Sequence, residues 1–367
     1  MKTELLLKIA ELLNRDIGQE IARNILDNFL TQKKFNSKQR REFSDLFYEC
    51  IRYYGLFKTD PQNFTVENAQ RITSEADWSK EVIRDVGGIE EFISGVIFHN
   101  LTSKDQFLNY LKRAPLTIRV NSGKTTRDFL KQLYPEFEFT TLSPFGLKTH
   151  QHVNVRQSNE FKKGFFEIQD EASQLVYFLV NPKKGDKILD FCAGSGGKSL
   201  ALAATKTGAE IFAYDKDKSR LNLLKRRAKL LREDIKILNK PAGSYNKILI
   251  DAPCSGSGSA RRDVDIFLRL SEQRLRQLIA EQRRIFETVF NMSRKGSFII
   301  YVTCSFFKEE NENQVEYFLK NYPIKFLPVK EFLDRKITSA LNISDYLKTS
   351  PEYYEMDSFF GAVFMVL

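Results

Sequence analysis

Apolar positions change their period twice along this chain. Through residues 1–107 they recur at helical spacing, as in Ile21, Ala22, Ile25, Leu26, Phe29 and Leu30, and again from Phe43 to Tyr54. This predicts an all-helical region. Ser44 and Asp45 precede a stripe of Leu46, Phe47, Ile51 and Tyr54, while Arg40, Arg41 and Arg52 form a candidate basic face. Residues 108–180 read differently. Ala114 to Asn121 alternates like a strand, Thr126 to Leu133 has helical spacing, and Pro144-Phe145-Gly146 marks a turn. Gly164 to Asp170 then reads as a strand leading into a helix, so a small α+β region is expected here. From 181 to 367, strand-like runs at 187–191, 210–214, 235–238, 247–251 and 297–303 alternate with helical patterns. Those helices are expected at 197–205, 217–231, 271–293 and 308–320, with a last strand in Phe359 to Leu367. Such alternation predicts an α/β, doubly wound, Rossmann-like sheet.

Composition narrows the picture. At 367 residues the chain has room for two or three domains, and its net charge of +10 points to an anionic partner without naming it. Four cysteines, at 50, 192, 254 and 304, include no Cys-x-x-Cys pair, and there are three histidines. No metal site is expected, and reduced thiols in a cytoplasmic protein are the simpler account. Glu4 and Glu11 interrupt the apolar N-terminal stretch, which reads as an amphipathic helix and not a signal peptide. No apolar run approaches the ~18–20 residues that span a bilayer, so no membrane partner is expected.

Two cysteines carry the candidate chemistry. Cys254 follows the run Lys247-Ile248-Leu249-Ile250-Asp251-Ala252-Pro253, and Cys304 follows Phe298-Ile299-Ile300-Tyr301-Val302-Thr303. Ligands of open α/β sheets bind beyond the carboxyl ends of the strands. Two thiols delivered there suggest nucleophilic chemistry, with core packing as the plain alternative. The segment Ile188 to Ser199 reads as a strand, a Gly-rich turn and a helix start, and Asp215 closes the next strand. Gly194-x-Gly196-Gly197 lacks the spacing of a dinucleotide fingerprint, and Lys198 comes too early for a P-loop. S-adenosylmethionine needs only a close backbone wall and a ribose acceptor, and it fits best. Cys192, Ala193, Gly194, Ser195, Gly196, Gly197, Lys198 and Asp215 are therefore the candidate cofactor residues, although Cys192 also reads as packing and Lys198 as a helix-start charge.

These residues resemble the RsmB-like (Sun/Nop) family of RNA cytosine-5 methyltransferases. The resemblance rests on Gly164 to Leu175, on Asp251-Ala252-Pro253-Cys254-Ser255-Gly256-Ser257-Gly258 with Arg261-Arg262, and on Tyr301-Val302-Thr303-Cys304-Ser305 followed by Glu309-Glu310-Asn311-Glu312. It covers 108–367; residues 1–107 are more loosely similar to the NusB-type RNA-binding domain of that family, through Ser37 to Phe43 and Tyr48 to Gly55. The resemblance implies that Cys304 attacks carbon 6 of cytosine, that Cys254 serves product release, and that Asp251 faces the base and the cofactor site. A thiolate suits that attack. Arg261 and Arg262, in the loop after Cys254, become the candidate RNA contacts, and the target base must be unstacked. Three positions depart from the family pattern. Ser195 and Val264 stand where proline is usual, and the usual third-strand acid has no counterpart, leaving Asn239 as the candidate adenine contact. The implied activity is formation of 5-methylcytosine in small-subunit ribosomal RNA. A transfer-RNA substrate, or an assembly factor without turnover, are the competing readings. A DNA methyltransferase would take its nucleophile from the Pro-Cys position and would not need Thr303-Cys304.

Overall fold

The structure, a computed structural model, describes residue 9, residues 22–32 and 35–57, and residues 104–367. The expected N-terminal amphipathic helix and the remainder of 1–107 lie outside the described residues. The chain divides into two compact units, Met1–Arg113 with Ser259–Leu275, and Ala114–Gly258 with Arg276–Leu367.

In the first unit, helix α1 is Ala22–Gln32, α2 is Ser37–Phe57 and α3 is Lys104–Leu111. The start of α2 is set by a reciprocal cap. Asn36 Oδ1 accepts from the Gln39 amide at 2.9 Å, and Gln39 Oε1 accepts from the Asn36 amide at 3.1 Å. Ser44 and Asp45 therefore lie inside the helix, and Ser44 Oγ donates back to the Arg40 carbonyl. The buried stripe is Phe43, Phe47, Cys50 and Ile51, with Phe29 stacked on Phe43 at 4.7 Å. Arg52 is not on a basic face. It is buried and donates to the carbonyl of Arg261 at 3.0 Å, so the helix is tied to the returning segment 259–275. A second tie runs from the Ala22 amide to Asp265 Oδ2 at 2.8 Å, which supplies the first turn of α1 with an acceptor.

The second unit contains two sheets. The smaller is β1 (Leu116–Val120), β2 (Glu138–Phe139), β3 (Gly146–Thr149) and β4 (Phe166–Ile168), antiparallel in the order β2-β3-β1-β4. Its core is Ile118, Val120, Leu130, Phe137, Leu147 and Phe166. Here the alternation misleads, because Thr117 and Arg119 on the other face of β1 are buried as well. That face lies against helix α4 (Glu171–Val180), whose Gln174 side chain reaches the Ile118 carbonyl. Arg119 Nε donates to Gln169 Oε1 at 2.7 Å, and burial pulls the guanidinium down to about 10 against the opposing pull of Glu167. Of the region expected at 108–180, residues 114–180 fall in the same compact unit as the large sheet.

The large sheet uses β5 (Lys187–Asp190), β6 (Glu210–Ala213), β7 (Ile235–Ile237), β8 (Lys247–Asp251), β9 (Phe298–Thr303), β10 (Ile324–Leu327), β11 (Leu347–Thr349) and β12 (Phe359–Val366). Their order is β7-β6-β5-β8-β9-β12-β10, with β11 beside β12. From β7 to β9 all pairings are parallel, whereas β12 runs antiparallel to β9, with Val363 opposite Ile300. The helices are α5 (Gly197–Ala204), α6 (Lys218–Leu231), α7 (Glu272–Met292) and α8 (Glu312–Asn321). Continuous apolar strands reflect cover on both faces. Ile188, Leu249, Ile300 and Val302 join one core with α4, while Leu189, Ile248, Ile250 and Tyr301 join Phe286 of α7 and Phe318 of α8 on the other. Strand order reverses between β5 and β8, and their carboxyl ends open the crevice where ligands of such sheets bind. Among the described residues, no helix is long and apolar enough to cross a membrane.

Candidate active site

The turn after β5 requires glycine at two positions. Gly194 has φ +53° and Gly196 φ +91°, and a Cβ on either would lie within 2.3 Å of Arg220 or 2.1 Å of Leu224 respectively. Around Gly197 the corresponding space is open. Asp215 is buried at the end of β6, where Oδ2 accepts from the Gly194 amide and Oδ1 from the Asp217 amide, both at 2.8 Å. The expected ribose acceptor therefore also fixes the turn. The carbonyl of Ser195, which departs from the family's usual proline, accepts from Arg227, which in turn pairs with Glu167 of β4. Asn239 is exposed just beyond β7, and its carbonyl accepts from Lys218 Nζ at 2.8 Å. Cys192 packs against the core of Leu189, Phe191 and Ile250. Burial first, then Asp190, Asp251 and Asp215, pushes its thiol well up, which disfavours a thiolate there.

Asp190 is buried under the turn. Ser199 Oγ donates to its Oδ2 at 2.6 Å, and Oδ1 has no protein partner. Burial raises the carboxyl to about 7, with Asp251 and Asp215 adding to the effect and Ser199 and Lys198 opposing it. Between pH 3.8 and about 7 the folded protein keeps a proton that the unfolded chain has released. Stability should then fall as pH rises through that window, by at most ~1.4 kcal/mol per pH unit from this group. Asp190→Asn, which keeps an acceptor for Ser199, is expected to flatten that decline in urea unfolding at a series of pH values. Equal slopes for the two proteins would discard Asp190 as its source.

Cys254 and Cys304 meet at the ends of adjacent strands, Sγ to Sγ 3.5 Å apart. That is contact distance and far from the ~2.05 Å of a disulfide. The two loops are stitched together. The Gly258 amide donates to the Cys304 carbonyl at 3.0 Å, the Ala252 amide to Val302 O at 2.9 Å, and Ser257 and Ser305 share a hydroxyl bond at 3.1 Å. A Cβ on Gly258 would lie 2.2 Å from the Ser358 carbonyl, so glycine is needed for β12 to approach. The Cys254 thiol is held well up by its bond to Cys304, and then by burial. Asp251 pairs with Lys198 at 2.6 Å, with the ammonium 4.9 Å from the centre of the Phe359 ring. Burial works against the charge of Lys198, but the charge and hydrogen bond of Asp251 outweigh it and leave Lys198 above the usual lysine value. The one lysine of the Gly-rich motif is thus committed to Asp251.

Arg261 departs from expectation. It is buried in the first unit, where Nε donates to the Lys112 carbonyl at 3.3 Å and Nη2 to that of Arg113 at 3.2 Å. Its guanidinium is engaged with the backbone, which gives it a structural task; Arg262 beside it is exposed. Sequence reasoning passed over a buried polar group behind the thiols, made of Gln282, Glu310, Asn311 and Gln314. A signal existed on α7, where Leu275, Leu278, Gln282, Phe286 and Val289 follow helical spacing, so a glutamine occupies a core position.

The strand order, the Gly-rich turn, and the acid at the end of β6 define a Rossmann-like methyltransferase fold. The chain belongs to the 16S rRNA methyltransferase RsmB/F family, whose model matches residues 177–365. Among curated relatives, ribosomal RNA small subunit methyltransferase B of Vibrio vulnificus is 32% identical over 225 residues, covering 58% of this chain and 53% of that protein. The chain thus spans about half the length of the curated relatives it matches. Among solved structures, PH0851 has a TM-score of 0.75 at 23% identity and covers 100% of this chain and 99% of its own. NSun6 from Pyrococcus horikoshii, solved with SFG, has a TM-score of 0.64 at 18% identity, over 75% of this chain and 96% of its own. S-adenosylmethionine is the cofactor of this family. The residues present fit it: a tight backbone wall, the acid Asp215, and a buried carboxylate oxygen of Asp190 without a protein partner suit a cationic cofactor that has no phosphates.

Proposed function

We propose that the protein methylates carbon 5 of a cytosine in small-subunit ribosomal RNA through a covalent bond between Cys304 and carbon 6. The observation that carries this reading is the pair of thiols, 3.5 Å apart, at the carboxyl ends of β8 and β9 beside the Gly-rich turn. Cys192 to Lys198 with Asp215, Asn239 and Asp251 would hold S-adenosylmethionine, which would supply an electrophilic methyl group and leave as the neutral thioether. Cys304, as a thiolate, adds to carbon 6, and the displaced electron pair makes carbon 5 nucleophilic. Asp251, oriented by Lys198, hydrogen-bonds the polar edge of the base and favours cytosine over uracil. After carbon 5 has gained its methyl group, the proton there passes to Cys254 acting as base, the C–H electron pair re-forms the double bond between carbons 5 and 6, and the bond from carbon 6 to sulfur breaks with its pair on Cys304. Cys304 is regenerated as a thiolate, and Cys254, in contact with it at 3.5 Å, carries away the proton of this release stage.

The net charge of +10 and the exposed Arg262 support an RNA substrate. The test is bisulfite sequencing of total RNA from cells with and without the gene. One or a few cytosines in small-subunit RNA should lose their protection when the gene is absent. An unchanged map would reject the proposal, and loss confined to transfer RNA would move the substrate.

A further inference from the structure

The run Glu309-Glu310-Asn311-Glu312 has so far no part in the chemistry, although it follows the Cys304 strand directly. Glu310 is fully buried. Its Oε1 accepts from the Ser255 amide at 2.8 Å and from Gln282 Nε2 at 3.0 Å, and its Oε2 accepts from Ser255 Oγ at 2.5 Å. Gln282 Nε2 also donates to the Pro253 carbonyl at 3.1 Å. The residues on both sides of Cys254 are therefore held by one buried carboxylate and its glutamine. The same short segment holds the other thiol loop. Asn311 Oδ1 accepts from Thr303 Oγ1 at 2.6 Å and Asn311 Nδ2 donates to the Ser305 carbonyl at 3.0 Å, bracketing Cys304 in turn. Tyr301 Oη donates to the Glu310 carbonyl at 2.7 Å, and Gln314 Nε2 to Gln282 Oε1 at 2.7 Å, so the anchor itself is fixed.

A buried acid is costly, and burial pushes the Glu310 carboxyl up while the bonds from Ser255, Ser305 and Gln282 pull it down. An apolar residue would serve packing with less penalty. What the carboxylate adds is direction: it accepts from the backbone and side chain of the residue next to one thiol, from a segment whose next residue clamps the other.

We propose that Glu310 is a positioning residue for product release, holding Cys254 against Cys304 at the separation that lets the covalent RNA adduct resolve. This rests on the covalent reading above. Glu310→Gln keeps the shape but replaces one acceptor with a donor facing Ser255. It is expected to lower turnover roughly tenfold to a hundredfold, the range that a displacement near 1 Å produces. S-adenosylmethionine affinity by calorimetry should stay within about twofold, and the protein–RNA adduct should persist on a denaturing gel. A residue that serves folding alone would lower activity without trapping an adduct. Ser255→Ala, which removes the hydroxyl bond to Glu310 together with the Oγ contacts to Ser257 and Ser305 but keeps the amide bond to Glu310, should trap the adduct in the same way, and it carries the test if Glu310→Gln shows no cooperative melt. Turnover near wild type, or reduced turnover with no adduct in the folded variant, overturns the assignment. Cys254→Ala is the control that separates the two ideas. If neither it nor Cys304→Ala traps an adduct, the covalent reading fails; if Cys254→Ala does while Glu310→Gln and Ser255→Ala do not, only the role of Glu310 falls.

Discussion

Cys304→Ala is expected to abolish methylation, with a loss on the order of 10⁴ or more, because the variant lacks the sulfur that forms the proposed covalent bond and Cys254 beside it is assigned to release. Cys254→Ala should behave differently. Its attacking thiol is intact, so addition and methyl transfer proceed, and the RNA remains attached because release fails. A species resistant to denaturing gel conditions is expected for Cys254→Ala, absent in Cys304→Ala and lost in the double variant. The two thiols lie 3.5 Å apart, so the adduct, and not their placement, tells which of them attacks. An adduct that accumulates in Cys304→Ala instead would reverse the two assignments. Full activity in both single variants would return both cysteines to core packing.

The second large effect concerns Asp251 and Lys198. The Lys198 side chain is 12% exposed and that of Asp251 33%, so the two partners are not equivalent. Asp251→Ala leaves a buried ammonium without its hydrogen-bonded partner, with Asp190 and Cys304 nearby and the Phe359 ring, which returns only ~0.5–2 kcal/mol. Breaking a buried pair in this way costs about 3 kcal/mol. Lys198→Met leaves a carboxylate that water still reaches, and its cost should be roughly half as large. Replacing both should cost less than Asp251→Ala alone, since no unpaired buried charge remains. Urea unfolding of the two single variants and the double variant measures the asymmetry. Equal losses in the two single variants would mean that burial of Lys198 does not govern the pair.

Much of the large sheet was legible because its strands are covered on both faces and appear as unbroken apolar runs. Lys247 to Asp251 and Phe298 to Thr303 needed no tertiary information, and the thiols follow directly from where those runs stop. Two short strands beside β12 were not legible. Ile324–Leu327 and Leu347–Thr349 gain their strand character by pairing with β12, a contact that no local pattern encodes. Charged and polar residues misled in one direction only. Arg52 read as part of a basic face and Arg261 as an RNA contact, yet both are buried with carbonyl oxygens as partners. Whether a guanidinium meets water or a carbonyl depends on segments far away in sequence, such as the 209 residues separating Arg52 from Arg261. Glu310 was quoted only as part of a family motif, since a lone acid shows its burial only once α7 and β9 are in place.

That long-range dependence has a consequence for synthesis. The first unit takes in Ser259–Leu275, and Asp265 and Arg261 are bonded to its helices. On the ribosome, residues up to Arg113 emerge well before the segment that completes their packing. At about 5–20 residues per second, the remaining roughly 160 residues take on the order of 8–30 s to appear. During that interval Arg52 lacks its Arg261 acceptor and the first turn of α1 lacks Asp265. The nascent chain must therefore finish its earlier part after most of its later part exists, an order opposite to the vectorial one.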